Sequence, residues 1–372
     1  MKYTCTLENI LAAFESVEGI AEKKTNLPAL AHILLRASGS TVDCTTTDLD
    51  MVATTKLRAR VETEGAVAIP AKTAVDFLRS LSDEQVTVEA IGDTAVFTTN
   101  SSKTTIKGVV VEDFPVIPQN VGGVNLEVVN MDFKNALSQT VFAAARTEVR
   151  PELSGVRIAV GTERFEGMLL AATDSYRLVE KKINLSKKVE TPCEVIVPVR
   201  AVQEMIRLLS LSATDSTINF LCGEGWITLS TSRGDLTART VSGRYPDYAA
   251  IIPARFSTTV SLPLIDFTKK IKAAGLFSTS GVQSVALDVR ASEGVCGISA
   301  MSAQTGEYHT TLESEISGGE NSTVLNVRYV LEGIAHCSGD QVLFKLNDSQ
   351  SPCVFQSPKD ESFVYVVMPI RQ

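Results

Sequence analysis

The sequence predicts an α+β protein built from one unit repeated three times. Three observations carry this reading. The basic residues Lys72, Arg200 and Arg328 lie 128 positions apart, and each is followed by apolar residues at helical spacing. After each of these helices come short alternating segments around Gly, Asn or Asp turns, the pattern of β-hairpins. The length of 372 residues allows two or three domains at roughly 100–200 residues each.

The elements follow in order within each copy. An opening helix is expected over Leu7 to Ile20, Asp132 to Ala145 and Leu264 to Ala274. Strands are expected next: His32 to Leu35 with Val42 to Thr47, Val156 to Val160 with Met168 to Thr173, and Ser284 to Val289 with Gly294 to Ala300. The second helix begins after Ile69-Pro70, Val197-Pro198 or Leu325-Asn326. In two copies proline stands where a helix start tolerates it. In the second copy Val202, Met205, Ile206 and Leu209 form one stripe. Hairpins then pair Gln85 to Val88 with Ala95 to Phe97, Thr217 to Phe220 with Ile227 to Leu229, and Gln341 to Phe344 with Cys353 to Phe355. A closing strand is expected to end near Pro118, Pro253 and Pro369. The domain boundaries therefore fall at 1–122, 123–253 and 254–372, the first in a Gly- and Asn-rich linker.

Bulk properties narrow the function. Hydrophobic residues make up 44%, enough for a core in each copy, and charged residues 21%, with no long polar tract. The net charge of −8 argues against a generic basic nucleic-acid binder but leaves room for one basic face. Seven scattered cysteines without a CxxC read as buried free thiols in a reducing compartment. The start Met1-Lys2-Tyr3-Thr4-Cys5-Thr6 has no apolar signal core, and no run of about 18 apolar residues exists, so a soluble cytoplasmic protein is expected.

An enzyme finds little support. Only three histidines occur, His32, His309 and His336, and none lies in HExxH. There is no GxSxG elbow and no GxxxxGK[ST] loop, so neither hydrolase nor nucleotide chemistry is indicated, and no cofactor or metal is expected. Asp48-Leu49-Asp50 reads more simply as a turn than as a metal site, and Asp48 aligns with Asp174, which points to a repeated structural role.

Four blocks carry a family resemblance: Thr47-Asp48-Leu49-Asp50-Met51, Ala172-Thr173-Asp174-Ser175-Tyr176-Arg177-Leu178, Gly243-Arg244-Tyr245-Pro246-Asp247-Tyr248, and Tyr365-Val366-Val367-Met368-Pro369-Ile370-Arg371. With them, over its whole length, the chain resembles the β subunit of bacterial DNA polymerase III, the sliding clamp. The resemblance implies three DNA-clamp domains, each with two helices on antiparallel sheets. It also implies a head-to-tail homodimer that closes a six-domain ring, with helices lining the hole and strands forming the outer shell.

Helices that face duplex DNA should be basic. Lys72 and Arg79 lie seven apart on one face, as do Arg200 and Arg207, while Arg328 has Ala335 at the corresponding place. Lys134 and Arg146 accompany the second opening helix, and Lys269, Lys270 and Lys272 the third. The first opening helix departs, with Glu8, Glu15 and Glu18. The resemblance adds Lys24 and Arg150. Such contacts go to phosphates, so they are salt-sensitive and blind to sequence. A protein-binding scaffold that never meets DNA would need no such repeat.

The resemblance also implies a cleft in which the polymerase, the clamp loader and other partners insert a short apolar peptide. The matching residues are Leu153, Thr173, Tyr176, Arg177, Leu178, Pro246, Ile251, Val366, Val367, Met368, Pro369, Ile370 and Arg371. Methionine and branched aliphatics suit an adaptable trough, and Arg177 and Arg371 suit polar groups of a peptide. Strand alternation also fits Val366 and Val367 as core. Several positions depart from the family pattern: Ser175-Tyr176 for Gly-His, Ala250 for a basic residue, Pro352 in the lining, and Gln372 at the end. For the dimer contact the resemblance points to Thr104 and Ile106 against Leu276 and Phe277, with Thr104 smaller and more polar than usual.

Overall fold

A computed structural model describes the chain except for residues 22–26, 110, 116–121, 147–148, 279–282 and 372. The described residues form two compact units, Met1–Lys134 with Leu185–Val241 and Asn135–Asn184 with Ser242–Gln372. Each unit thus takes one outer copy of the repeat and part of the middle copy.

Six helices occur among the described residues: α1 (Leu7–Glu18), α2 (Ala71–Arg79), α3 (Asn130–Thr140), α4 (Val199–Leu211), α5 (Leu264–Gly275) and α6 (Val327–Ile334). The helix starts use two devices. Pro70, Pro198 and Pro263 precede α2, α4 and α5 with fixed φ near the helical value. Thr6 and Asn326 instead accept backbone N–H groups at the start of α1 and α6: Thr6 Oγ1 from Asn9, and Asn326 Oδ1 from Arg328 and Tyr329. The helix α3 stops at Thr140 and tightens into a 3-10 turn, Val141–Ala143, so the expected helix to Ala145 ends in a different geometry.

In the first unit a five-stranded antiparallel sheet runs Arg60–Thr63, Lys2–Thr6, Gln85–Ile91, Thr94–Thr98, Lys103–Lys107. An eight-stranded sheet runs Val124–Val129, Thr217–Cys222, Trp226–Thr231, Gly234–Arg239, Met51–Arg58, Thr41–Thr47, His32–Ser38, Gly65–Pro70. The pairing of Leu236 with Ala53 and Thr237 with Val52 therefore carries one sheet across two copies of the repeat. The second unit repeats the arrangement. Its long sheet passes from Arg177–Ile183 to Asp360–Val367, with Leu178 opposite Val366 and Val179 opposite Tyr365. Its four-stranded sheet runs Gly306–Glu313, Val295–Ser302, Ser284–Arg290, Asn321–Asn326.

The helical stripes cover these sheets. Phe14, Phe133 and Phe220 are fully buried in the first unit, with the last two rings 5.1 Å apart. Phe267, Phe344, Phe355 and Tyr365 are fully buried in the second. Each such side chain contributes about 1.5–3 kcal/mol of burial. The expected strands are present with ends shifted by a few residues, but the first two closing strands stop early, at Lys107 and Arg239. At Gly108 the chain leaves that sheet: Val109 N–H donates to the Ala68 carbonyl at 3.0 Å in an isolated antiparallel bridge, and a Cβ on Gly108 would sit 1.8 Å from that oxygen.

Gly333 inside α6 shows how tightly helix and sheet fit. A Cβ there would lie 1.9 Å from the ring of Tyr365, whose hydroxyl donates to the Tyr329 carbonyl at 2.8 Å. A glycine that weakens a helix by about 1 kcal/mol is kept because a rigid ring occupies its place. Gly333→Ala is expected to destabilise the protein by about 2 kcal/mol through overpacking, measured as a lower urea midpoint. Unchanged stability would mean that Tyr365 has room to move.

Candidate functional site

The site is built on a turn that occurs twice. Thr173 Oγ1 donates to the Arg177 carbonyl at 2.6 Å and accepts Ser175 N–H at 3.1 Å, while Asp174 Oδ1 accepts Tyr176 and Arg177 N–H, both at 3.0 Å. In the first unit Thr47 and Asp48 do the same for Leu49, Asp50 and Met51. Both turns hold a non-glycine residue in the left-handed region, Ser175 at φ +77° and Leu49 at φ +81°. Threonine and aspartate recur because short oxygen-bearing side chains satisfy local N–H groups that a two-residue reversal leaves open. In the third copy Ser302 and Ala303 take these places, and only Gln304 N–H to Ser302 Oγ remains, at 3.3 Å.

The turn fixes what surrounds it. Tyr176, largely exposed, offers its carbonyl to Met368 N–H at 2.8 Å, and Ile370 N–H reaches the Val324 carbonyl at 2.8 Å, so the last residues are pinned along the sheet. Leu178 and Val366 are paired across strands beneath. The segment after Tyr248 supplies another wall. Tyr248 is buried with Arg157 and Arg164 over its ring at 5.8 and 5.5 Å and Tyr245 edge-on at 6.2 Å. Burial pushes both phenols above their ordinary range. Arg164 also reaches the buried Glu180 at 3.1 Å.

Together these elements enclose a concavity of about 390 Å³, lined by Thr173, Ser175, Arg177, Leu178, Ala250, Ile251, Pro253, Asn347, Ser351, Pro352, Val366 and Met368. Apart from the exposed Ser175, its polar side chains have partners within the chain. Asn347 Oδ1 accepts Ser257 N–H at 2.8 Å and its Nδ2 donates to the Arg255 carbonyl at 3.0 Å, and Ser351 Oγ donates to Asp348 at 2.7 Å. The surface left to a ligand is mainly aliphatic.

Arg177 is the most constrained lining residue. Its side chain is 3% exposed. Nε donates to Asp174 at 2.9 Å, Nη1 to Glu332, and Nη2 to the Phe142 carbonyl at 2.8 Å. The guanidinium lies over Phe142 and Tyr329, 5.4 and 4.6 Å from their centroids. Burial opposes its charge, and the Glu332 hydrogen bond with the nearby carboxylates more than offsets this. Its donors are thus used inside the chain rather than held out to a peptide carboxylate. His336 stacks on Phe142 at 4.5 Å, and burial lowers its pKa.

Among the other cleft candidates, Leu153 and Val367 are core residues, and Tyr176 and Pro246 are exposed and do not line the concavity. Pro369 and Ile370 are half-buried and Arg371 is exposed. Asn347 and Ser351 were not singled out from the sequence, where they read only as part of a hairpin turn.

The basic helix residues divide sharply. Lys72 is exposed on α2. Arg79, on the same helix, donates to Glu15 at 2.9 Å. Arg200 on α4 pairs with the turn residue Asp48 at 3.0 Å. Arg207 donates to Glu204 at 2.7 Å and to the Glu15 and Ser16 carbonyls at 2.7 and 2.8 Å. Lys134 on α3 is half-buried, and Arg146 and Arg150 are exposed. On α5, Lys269 and Lys272 are exposed and Lys270 donates to Thr310 at 2.9 Å. Arg328 stacks on Tyr329 and meets Glu332 at 3.5 Å. Lys24 lies outside the described residues.

For the contact residues, Thr104 and Ile106 are on Lys103–Lys107, the edge strand of its sheet; Thr104 is half-buried and Ile106 buried. Leu276 follows α5 and is 72% exposed, and Phe277 stacks on Tyr308 of the edge strand Gly306–Glu313 at 5.8 Å.

Sheets continued from copy to copy, with helix pairs on them, define a clamp protein. Family models of the DNA polymerase III beta subunit match its N-terminal domain at residues 1–118, its central domain at 127–247 and its C-terminal domain at 249–371. The chain belongs to the DNA polymerase III beta subunit family. It is 26% identical to the beta sliding clamp of Synechococcus elongatus, covering 100% of this chain and 99% of that one, and 26% identical to that of Pseudomonas aeruginosa with full coverage of both. The crystal structure of the Pseudomonas aeruginosa clamp bound to griselimycin superimposes with a TM-score of 0.93 at 24% identity over 100% of both chains. The Caulobacter crescentus pol III beta does so with 0.91 at 26%, again over 100% of both.

Replacing Arg177 by Met, the residue at the matching turn position 51, leaves Asp174 and the Phe142 carbonyl without their partner. The expected cost is roughly 3 kcal/mol, the low end for a broken buried pair, because Glu332 is 32% exposed and keeps Arg328. Thermal denaturation checks this; a loss under half that size would show that water replaces the guanidinium.

Proposed function

We infer that the chain is a DNA sliding clamp, the processivity subunit of DNA polymerase III, which holds the polymerase on duplex DNA without catalysing a reaction itself. The reading rests on the three successive clamp domains along the whole chain, taken as 1–122, 123–253 and 254–372. Two copies join head to tail, the first domain of one against the third of the other, and close a six-domain ring around the duplex. The two edge strands Lys103–Lys107 and Gly306–Glu313 favour this, because an open edge with exposed apolar neighbours such as Leu276 invites strand pairing. The helices face DNA phosphates, and the ring is held by topology, so its contacts need only be weak and salt-sensitive. The cytoplasm is the proposed location, in keeping with scattered free thiols and a replication role.

The concavity beside Arg177 takes a short apolar peptide of the polymerase, the clamp loader or other replication and repair proteins. Its mainly aliphatic lining, with the buried polar groups already bonded and Ser175 open to solvent, supports that ligand chemistry, since an apolar side chain can enter without stranding a buried polar group.

Two outcomes are expected. Loaded with a cognate loader and ATP, the protein should remain on nicked circular DNA and leave when the circle is cut; retention that ignores cutting would reduce it to an ordinary binder. Met368→Asp should weaken binding of a polymerase-derived clamp-binding peptide about tenfold or more, by placing a charge in the trough, with dimerisation unchanged in sedimentation. Equal peptide affinity would move the partner site elsewhere.

A further inference from the structure

The helix pairs of the first and third domains differ in charge. The pair α1 and α2 carries Glu8, Glu15, Glu18 and Asp76 against Lys72 and Arg79. The pair α5 and α6 carries Lys269, Lys270, Lys272 and Arg328 against Asp266 and Glu332. The same fold position is thus net acidic in one copy and net basic in another.

The geometry sharpens the contrast. Arg79 is half exposed, yet its head is surrounded by its own chain: Nε and Nη2 each lie 2.9 Å from Glu15, with Glu18 and Asp76 both at 3.8 Å. Glu15 sits on a helix end that is itself fastened, because Arg207 donates to the carbonyls of Glu15 and Ser16. Burial raises the Glu18 pKa, with Arg79 pulling it down. In the third domain Lys272 is exposed, and among the described residues Lys269 meets only Asp266, at 3.7 Å with both side chains open to solvent.

We propose that Glu15, aided by Glu18, masks Arg79, so that the first-domain helices form a sector of low phosphate affinity and the third-domain helices carry more of the contact with duplex DNA. The inference rests on the reading that these helix faces meet DNA. A phosphate approaching Arg79 must displace an aligned carboxylate, so it releases little counterion and gains little. At Lys269 and Lys272 no aligned carboxylate hydrogen bond stands in the way among the described residues. Glu15 and Glu18 thereby set how strongly one sector grips the duplex during sliding, without touching DNA themselves.

The test is binding of the intact dimer to a short labelled linear duplex over a salt series, read by fluorescence anisotropy. Glu15→Gln with Glu18→Gln should tighten binding by roughly fivefold near 0.1 M salt and steepen the log–log salt slope by about 0.9, one added phosphate contact. Arg79→Ala should be nearly silent in the native background and should cancel that gain in the Gln background. Lys269→Ala with Lys272→Ala should weaken binding and flatten the slope. The proposal is overturned if the Gln variant binds like the native protein, or if Arg79→Ala alone weakens binding as much as the two lysine changes. If the lysine changes are also silent, the helix faces do not meet DNA, and the reading beneath the proposal fails with it.

Discussion

Both units depend on a guanidinium driven into the carbonyl end of a helix. An α-helix leaves its last carbonyls without partners and gathers partial negative charge there. Neither α1 nor α3 has a basic residue in its last turn to answer this. In the first unit Arg207 reaches from α4 to the carbonyls of Glu15 and Ser16, and Glu204 holds it in place. In the second unit Arg177 reaches from a turn to the carbonyl of Phe142, in the 3-10 turn that continues α3, and Glu332 holds it. Glu204 and Glu332 are one repeat apart, but the arginines are not: Ala335 stands where Arg207 would recur, and Met51 where Arg177 would. The junction keeps its chemistry while the cation comes from different parts of the fold.

That exchange shapes the concavity. Because Arg177 comes from the turn rather than from α6, the turn is locked by its own product: Asp174 caps the backbone with one oxygen and binds the guanidinium with the other. The locked turn offers the Tyr176 carbonyl to Met368 and so sets the far wall. At the matching turn of the first unit, Asp48 instead binds Arg200 from α4. Two similar turns thus end in different surroundings, and the 390 Å³ concavity is lined by the one that holds its own arginine.

The fold was legible because its signals are local and repeated. Alternation marked the hairpins, helical spacing marked the stripes, and the 128-residue interval aligned Lys72, Arg200 and Arg328. The recurrence of Asp48 and Asp174 was legible as structure, and their hydrogen bonds explain it. The partners of the basic residues were not legible. Spacing puts Arg79 and Arg207 on a helix face, but it cannot say that Glu15 sits opposite one or that a helix end receives the other. The closing strands were overextended for a related reason: after Lys107 the chain changes partners, with Gly108 packed on Ala68 forty residues away and Val109 bridging to it. Asn347 and Ser351 looked like turn residues and are, and only the fold turns that hairpin toward the concavity.

A triplicated fold lets charge drift where shape does not. The core must keep its rings and its close approaches, as Gly333 against Tyr365 shows, because a misfit there costs stability directly. On the proposed reading, in which a closed ring holds each helix face near DNA, such a face is under a looser demand. Its grip must be strong enough to orient the duplex and weak enough to let it pass, and only the sum over all faces matters. Arginines in such a place are free to be drawn into the frame, as Arg207 and Arg200 are, or answered by carboxylates, as Arg79 is. Lys269 and Lys272 of α5 stay exposed, so a chain of net charge −8 still carries positive charge that its own carboxylates hold least.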